Sequence, residues 1–208
     1  MKVTIYVEGG GDDNATLSVC RKGFATFFGR MLPGRKSVRI VARGSRNQAF
    51  KDFRIALESR GPDEAVVLLV DSEAPVADGS DPWKHLADRE GDKWAKPTLT
   101  SHDDACLMVQ CVEAWFLADP DALKKHYRKG IRLEKLAQPV NGNVESIPKS
   151  KILTSLKAAL HGSNPDGYGK RDAFKIITYL DPEKVCKASR HAESMRSRLM
   201  KLTSAKKK

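Results

Sequence analysis

Ala65-Val66-Val67-Leu68-Leu69-Val70 runs straight into Asp71-Ser72-Glu73. Six apolar residues in a row predict a buried strand. Its abrupt end in two acids, two positions apart, is uncommon for a purely structural element. Side chains alternate between the faces of an extended segment, so Asp71 and Glu73 are expected to point the same way. They would then converge just beyond the carboxyl end of a sheet, where open α/β sheets place their ligands.

The first apolar run, Lys2-Val3-Thr4-Ile5-Tyr6-Val7, ends in the same manner, at Glu8 followed by Gly9-Gly10-Gly11. The glycines let the backbone turn sharply and approach a ligand. Asp12, Asp13 or Asn14 can cap the next helix, whose Leu17, Cys20, Phe24, Phe27 and Phe28 share one buried face. Pro33-Gly34 marks a loop over 31–37, and Val38 to Ala42 predicts a second strand. Ser45 with Gln48 has capping-box spacing and opens a helix with Phe50, Phe53 and Leu57 on one face, stopped by Gly61-Pro62. Strands and helices alternating at this spacing predict βαβ units and right-handed crossovers. The fold class is therefore α/β: a mostly parallel, Rossmann-like central sheet flanked by helices, with a C-terminal helical extension.

Residues 74–100 are polar and rich in Pro, Gly and Asp, with one short helix expected near Trp83 to Arg89 and Trp94 as a packing residue. A long excursion after a strand's carboxyl end commonly borders a binding site. Ala105 to Val112 predicts a fourth strand, passing at Glu113 into a short helix. His102-Asp103-Asp104, at the opposite end of that strand, is expected to be a solvated turn. Asp119-Pro120 and Asp181-Pro182 predict helix N-caps with proline at the first helical position. Beyond residue 120 the chain is expected to be mostly helical. Ile152, Leu156 and Leu160 form one face, Phe174, Ile177 and Leu180 another, and Met195, Leu199 and Leu202 line the last helix before the fraying tail Lys206-Lys207-Lys208. Turns are expected at Asn141-Gly142 and at Asn164-Pro165-Asp166-Gly167.

With 208 residues, 40% of them hydrophobic, the chain can bury an ordinary core. It reads as an α/β domain over 1–120 with a basic helical extension, 121–208, packed on it. No stretch approaches the ~18 apolar residues of a membrane span. The N-terminal segment is polar, acidic and Gly-rich where a signal peptide would be apolar, so no membrane association and a cytoplasmic location are expected. Cys20, Cys106, Cys111 and Cys186 are scattered, and no His/Cys cluster has zinc-ligand spacing. The net charge is +11. Acids slightly outnumber bases up to residue 120, whereas beyond it bases outnumber acids more than twofold. A basic surface beside an acidic site suits a polyanion held by one part and acted on by the other. Lys149 and Lys151, and Lys170 and Arg171, stand at turn-to-helix junctions, where side chains and helix amides can bind phosphate together.

The loop after Glu8 lacks both the Gly-Lys-Ser/Thr of a P-loop and the Gly-x-Gly-x-x-Gly of a dinucleotide fold. An acid at that turn would repel phosphate unless a metal lay between them. Clustered carboxylates suit Mg²⁺ or Mn²⁺, hard cations that take oxygen ligands and leave positions for substrate phosphates. Asp71 and Glu73 are the expected ligands. Glu8 is either a further ligand or the general acid/base, and Glu113 is a further candidate for the shell. Without a cation these like charges would repel, and at least one carboxylate should titrate high.

Glu8 after the first strand and Asp71-x-Glu73 after the third resemble the Toprim domain of topoisomerases, primases and the overcoming-lysogenisation-defect nucleases. That family has a glutamate after its first strand and an Asp-x-Asp pair after a later one. Glu73 departs from the pattern by one methylene. Met108-Val109-Gln110-Cys111-Val112-Glu113-Ala114-Trp115-Phe116-Leu117-Ala118-Asp119 resembles a bacterial Toprim-like family of unknown function. Its members are small proteins often encoded beside an AAA-type ATPase and associated with phage defence. The resemblance implies a Mg²⁺-dependent nuclease acting on DNA or RNA, with Glu8, Asp71 and Glu73 at its centre and an ATPase as partner. A binding subunit with a degenerate site, and a small-molecule phosphatase or nucleotidyl transferase, are the competing readings.

Overall fold

The computed structural model describes residues 1–11, 13–34, 38–77, 79–165 and 167–204. Asp12 as a cap, the end of the 31–37 loop, Asp166 in its turn and the tail Lys206-Lys207-Lys208 lie outside the described residues. The α/β half runs β1 (Lys2–Glu8), α1 (Asn14–Met31), β2 (Arg39–Arg43), α2 (Arg46–Ser59), β3 (Glu64–Asp71), α3 (Pro82–Asp88) and β4 (Ala105–Met108). The remainder is α4 (Ala114–Ala118), α5 (Pro120–His126), α6 (Lys149–Leu160), α7 (Lys170–Ile177), α8 (Pro182–Ala188) and α9 (Arg190–Ser204). No helix among the described residues is long and apolar enough to cross a membrane.

The four strands form one sheet in the order β2-β1-β3-β4, and every pairing is parallel. The order reverses between β1 and β3, the two central strands. A crevice opens at such a switch point, because the flanking connections leave toward opposite faces. β3 is buried over all six of its apolar positions and divides them between two cores. Val66, Leu68 and Val70 pack with Phe50, Phe53 and Leu57 of α2 and with Trp83 and Trp94. Ala65, Val67 and Leu69 join Phe24, Phe27 and Phe28 of α1 in a larger core that reaches to Leu202 of α9. The alternation of a strand has thus placed one helix on each side of the sheet.

Local signals account for most of the boundaries. Asp13 caps α1 by accepting from Thr16 N at 2.8 Å. Ser45 accepts from Gln48 N at 3.2 Å, but Gln48 turns its amide to Asp52, so only half of the capping box forms. Asp181 caps α8 through Glu183 N at 2.9 Å.

Several expectations need correction. The fourth strand stops at Met108, not Val112: beyond it the chain leaves the ladder, Gln110 O accepting from Glu73 N at 2.8 Å and Val112 N donating to Asp71 Oδ1 at 2.9 Å. Asp119 precedes α5 but its side chain caps nothing. Its buried carboxylate accepts from Asp181 N (2.9 Å) and Lys184 Nζ (2.7 Å), which ties α5 to α8. Asp104 is not solvated; it is buried and paired with Arg198 of α9 at 2.6 Å. Between α5 and α6 the chain is irregular apart from two short 3-10 turns, Leu133–Lys135 and Val144–Ser146.

Gly23 lies where α1 crosses α7. A Cβ there would sit 2.4 Å from the Phe174 carbonyl oxygen, a backbone atom that cannot swing aside. Gly→Ala in an open helix interior stabilises by about 1 kcal/mol. Here overpacking reverses the sign, and Gly23→Ala is expected to destabilise by about 1–3 kcal/mol. Thermal melts check this; an unchanged or raised Tm would refute the close crossing.

Candidate metal centre

Glu8 and Asp71 are the last residues of the two central strands, on either side of the switch point. Glu73 joins them by a route the alternation argument did not foresee. The strand ends at Asp71, and Glu73 adopts a left-handed backbone conformation with φ 64°. That conformation is costly for a residue with a β-carbon, by roughly 1–3 kcal/mol, and is concentrated at functional sites. The bonds of Ser72 N to Met108 O (3.0 Å) and of Glu73 N to Gln110 O (2.8 Å) hold it there. One carboxylate oxygen from each of Glu8, Asp71 and Glu73 lies within 4.8 Å of the other two.

The glycine run after Glu8 has a structural task. Gly9, at φ 122°, lies where a Cβ would come 2.8 Å from Phe174 Cζ. The backbone approaches an α7 side chain at that point.

Two cations face the acids. Arg46, the first residue of α2, donates from Nη1 to the Asp71 carbonyl oxygen at 3.0 Å. The same nitrogen is 3.2 Å from Glu8 Oε2 and 3.9 Å from Glu73 Oε1. Its other edge is gripped by Asp92, Nε to Oδ1 at 2.8 Å and Nη2 to Oδ2 at 2.7 Å, and its guanidinium lies over Trp94, 5.2 Å from the ring centroid. Asp92 is fully buried at its side chain and also pairs with Arg89 at 2.9 Å. Lys149, the first residue of α6, donates from Nζ to Glu73 Oε2 at 2.6 Å, and its backbone N donates to Gln110 Oε1 at 3.1 Å.

Burial and mutual repulsion set the protonation of the acids. Burial raises Glu8 to about 7, with Glu73 adding to the rise and Arg46 opposing it. Burial, then the fields of Glu8 and Glu113, push Asp71 well above the ordinary carboxylate range. Burial works against the Lys149 ammonium, but the hydrogen bond to Glu73 and the charge of Asp71 outweigh it and raise the group. Burial does most of this, and the neighbouring acids add a repulsion that a bound cation would relieve.

A hard divalent cation fits this donor set. Ligand oxygens on opposite sides of Mg²⁺ are about 4.2 Å apart at its usual bond length. Neighbouring ligands are only about 3.0 Å apart at the same bond length, so the three carboxylates, within 4.8 Å of one another, would draw inward around an ion. Asp71 Oδ1 is anchored by Val112 N at 2.9 Å, which steadies the group that faces both neighbours. Glu8 Oε2 is buried and accepts no hydrogen bond, for Arg46 Nη1 directs its N–H at the Asp71 carbonyl instead. Its close neighbour is the Arg46 guanidinium at 3.2 Å, a contact outside hydrogen-bonding geometry, so the oxygen keeps lone-pair capacity that a cation could use.

Glu113 stands outside the converging triad. It accepts from Tyr168 Oη at 2.8 Å, and it acts on Asp71 through its charge. Of the other basic residues singled out by sequence, Lys151 is exposed in the first turn of α6. Lys170 and Arg171 are exposed at the start of α7. Arg171 is near the start of α1: hydrogen bonds from Thr16 lower Asp13, and Arg171 lowers it further at longer range. Sequence reasoning missed Arg46, Asp92 and Tyr168 as site residues. Arg46 directly follows the Ser45 cap, so its position at a helix start opening toward the sheet's carboxyl edge was the available signal.

The fold and the centre define an α/β protein with an acidic site at the switch point of a parallel sheet. Residues 7–200 match a family model described as a domain of unknown function (DUF4276), and the chain belongs to that family. Comparisons with curated proteins and with solved structures returned no match.

The raised Glu8 carboxyl links stability to pH. The unfolded chain ionises near 4.5 and the folded one near 7. The unfolded state therefore holds fewer protons through this window, and the metal-free protein loses stability as pH rises across it. Glu8→Gln removes the effect, so its Tm relative to wild type should climb between pH 5 and 8, equivalent to up to about 3 kcal/mol. Mg²⁺ should raise the wild-type Tm more at pH 8 than at pH 5. Parallel pH profiles for the two proteins would contradict the assignment.

Proposed function

We propose that this chain is a Mg²⁺- or Mn²⁺-dependent nuclease hydrolysing phosphodiester bonds in DNA or RNA. The observation that carries the reading is the convergence of Glu8, Asp71 and Glu73 from two strand ends and the turn beyond, with one buried Glu8 oxygen that accepts no hydrogen bond. The order of these acids along the chain and their βαβ setting also support the resemblance to Toprim nucleases. Glu8, Asp71 and Glu73 would hold the ion, with Glu113 near enough to act on it through its charge. A bound divalent cation would supply polarisation of a phosphoryl oxygen and a lowered pKa for water.

The chain's own side chains do the rest. Arg46 Nη1 and Lys149 Nζ lie against the acids, and both can donate to non-bridging phosphate oxygens. Arg46 is suited to a fixed position because Asp92 and Trp94 hold it before substrate arrives. Lys151, Lys170 and Arg171 offer exposed positive charge beyond the site for neighbouring phosphates, a contribution that weakens as salt rises. On this reading the protein is cytoplasmic and acts as the effector of an AAA-type ATPase in phage defence.

One observation favours a second reading. Lys149 already neutralises Glu73, where the Toprim pattern has an aspartate, which suits a nucleic-acid- or ATPase-binding subunit that no longer cuts.

Purified protein is to be incubated with plasmid DNA and with tRNA, with Mg²⁺, Mn²⁺ or chelator. Cleavage is expected only with metal. Glu8→Ala and Asp71→Ala should each lower it at least about 100-fold while remaining folded by thermal melt. Equal cleavage by wild type and both variants would refute the assignment. Salt-sensitive binding without cleavage, with the ATPase present, would favour the second reading.

A further inference from the structure

We infer that the centre takes one divalent cation rather than two, because Arg46 and Lys149 already engage acid oxygens that a second ion would need as ligands. This rests on the proposed metal reading of Glu8, Asp71 and Glu73. A second ion beside the first would require further carboxylate oxygens with free lone pairs on one side of the triad. Several of those lone pairs are already engaged. Lys149 Nζ sits 2.6 Å from Glu73 Oε2. Arg46 Nη1 lies 3.2 Å from Glu8 Oε2, 3.9 Å from Glu73 Oε1 and 3.0 Å from the Asp71 carbonyl oxygen. Asp71 Oδ1 is committed to Val112 N, and Glu113 Oε1 to Tyr168 Oη.

Arg46 cannot simply withdraw. Its Nε and Nη2 are fastened to a buried carboxylate, its plane rests on Trp94, and leaving would strand Asp92 with Arg89 alone. The charge balance agrees. With all four acids ionised, as ligation of an ion requires of the triad, Glu8, Asp71, Glu73 and Glu113 carry two more charges than Arg46 and Lys149, which one divalent ion cancels. A second ion would leave the centre cationic before any substrate bound. Arg46 and Lys149 are positioned to meet the phosphate oxygens that such an ion would otherwise hold.

Mn²⁺ titration of the full chain, followed by the electron paramagnetic resonance of free Mn²⁺ and by calorimetry, tests this without an activity assay. One Mn²⁺ per chain is expected, with no spin coupling between ions. Two ions per chain, or a spin-coupled pair, would overturn the inference while leaving the metal centre standing. No binding at millimolar Mn²⁺ would remove the metal reading itself and the inference with it. In Lys149→Met the competing cation is gone, so the single ion should bind about tenfold or more tightly. Weaker binding in that variant, at unchanged Tm, would show that Lys149 supports the ion rather than standing in for one, and would also overturn the inference.

Discussion

Three carboxylates packed at the ends of two neighbouring strands repel one another, and much of the surrounding structure answers that repulsion. A parallel sheet gives close spacing at its carboxyl edge, because β1 and β3 are adjacent and end together. It offers no compensating charge of its own. The compensation arrives on helix starts: Arg46 opens α2 and Lys149 opens α6. Each cation is braced before it reaches the acids, Arg46 by Asp92 and Trp94, Lys149 through its own backbone bond to Gln110. The long polar excursion after β3 gains a purpose from this arrangement. It contributes α3, then returns to place Asp92 under Arg46 and Trp94 flat against Phe50, with ring centroids 4.3 Å apart.

The second half of the chain is built into the same centre. Lys149 reaches Glu73 across more than seventy residues of sequence. Tyr168 closes on Glu113, and Phe174 fills the space that Gly9 leaves beside Glu8. Burial pushes Tyr168 well above the usual phenol range, and the nearby Glu113 charge pushes it further, so it remains a hydrogen-bond donor to that carboxylate. The larger core runs without a break from Val3 to Leu202. The Phe174 ring of α7 lies against the glycine backbone that follows β1, so the two halves pack together beside Glu8.

What could be read beforehand was periodic or punctuated. The apolar run before Asp71, the Phe24, Phe27 and Phe28 face, the Ser45 and Asp181 caps and the parallel sheet all rest on local rules and were legible. The meeting of Glu8 with Asp71 followed from strand order once βαβ units were recognised. The reach of Glu73 did not, since a left-handed glutamate is a choice that tertiary hydrogen bonds impose on a residue with no preference for it. Asp119 and Asp104 looked like caps or turns because sequence shows an acid's neighbours along the chain and not its partner across it. Arg46 was overlooked for a similar reason: among many arginines, only the three-dimensional position of its helix start marks it out.

Charge distribution ties these levels together. The positive excess of the chain lies beyond residue 120, whereas the triad belongs wholly to the first part. A polyanion approaching a bare acidic cluster would be turned away by Coulomb repulsion, and a uniformly basic surface would hold it with no centre to act on it. Lys149 joins the two fields at one point, because it belongs to the basic half yet ends on Glu73. On the proposed reading, the phosphate chain is drawn by the exposed charge of Lys151, Lys170 and Arg171. The site itself becomes tolerant of phosphate only when a divalent ion has cancelled the remaining negative excess. Attraction and acceptance are then separate conditions, which makes the occupancy of a single ion position the control point of the whole surface.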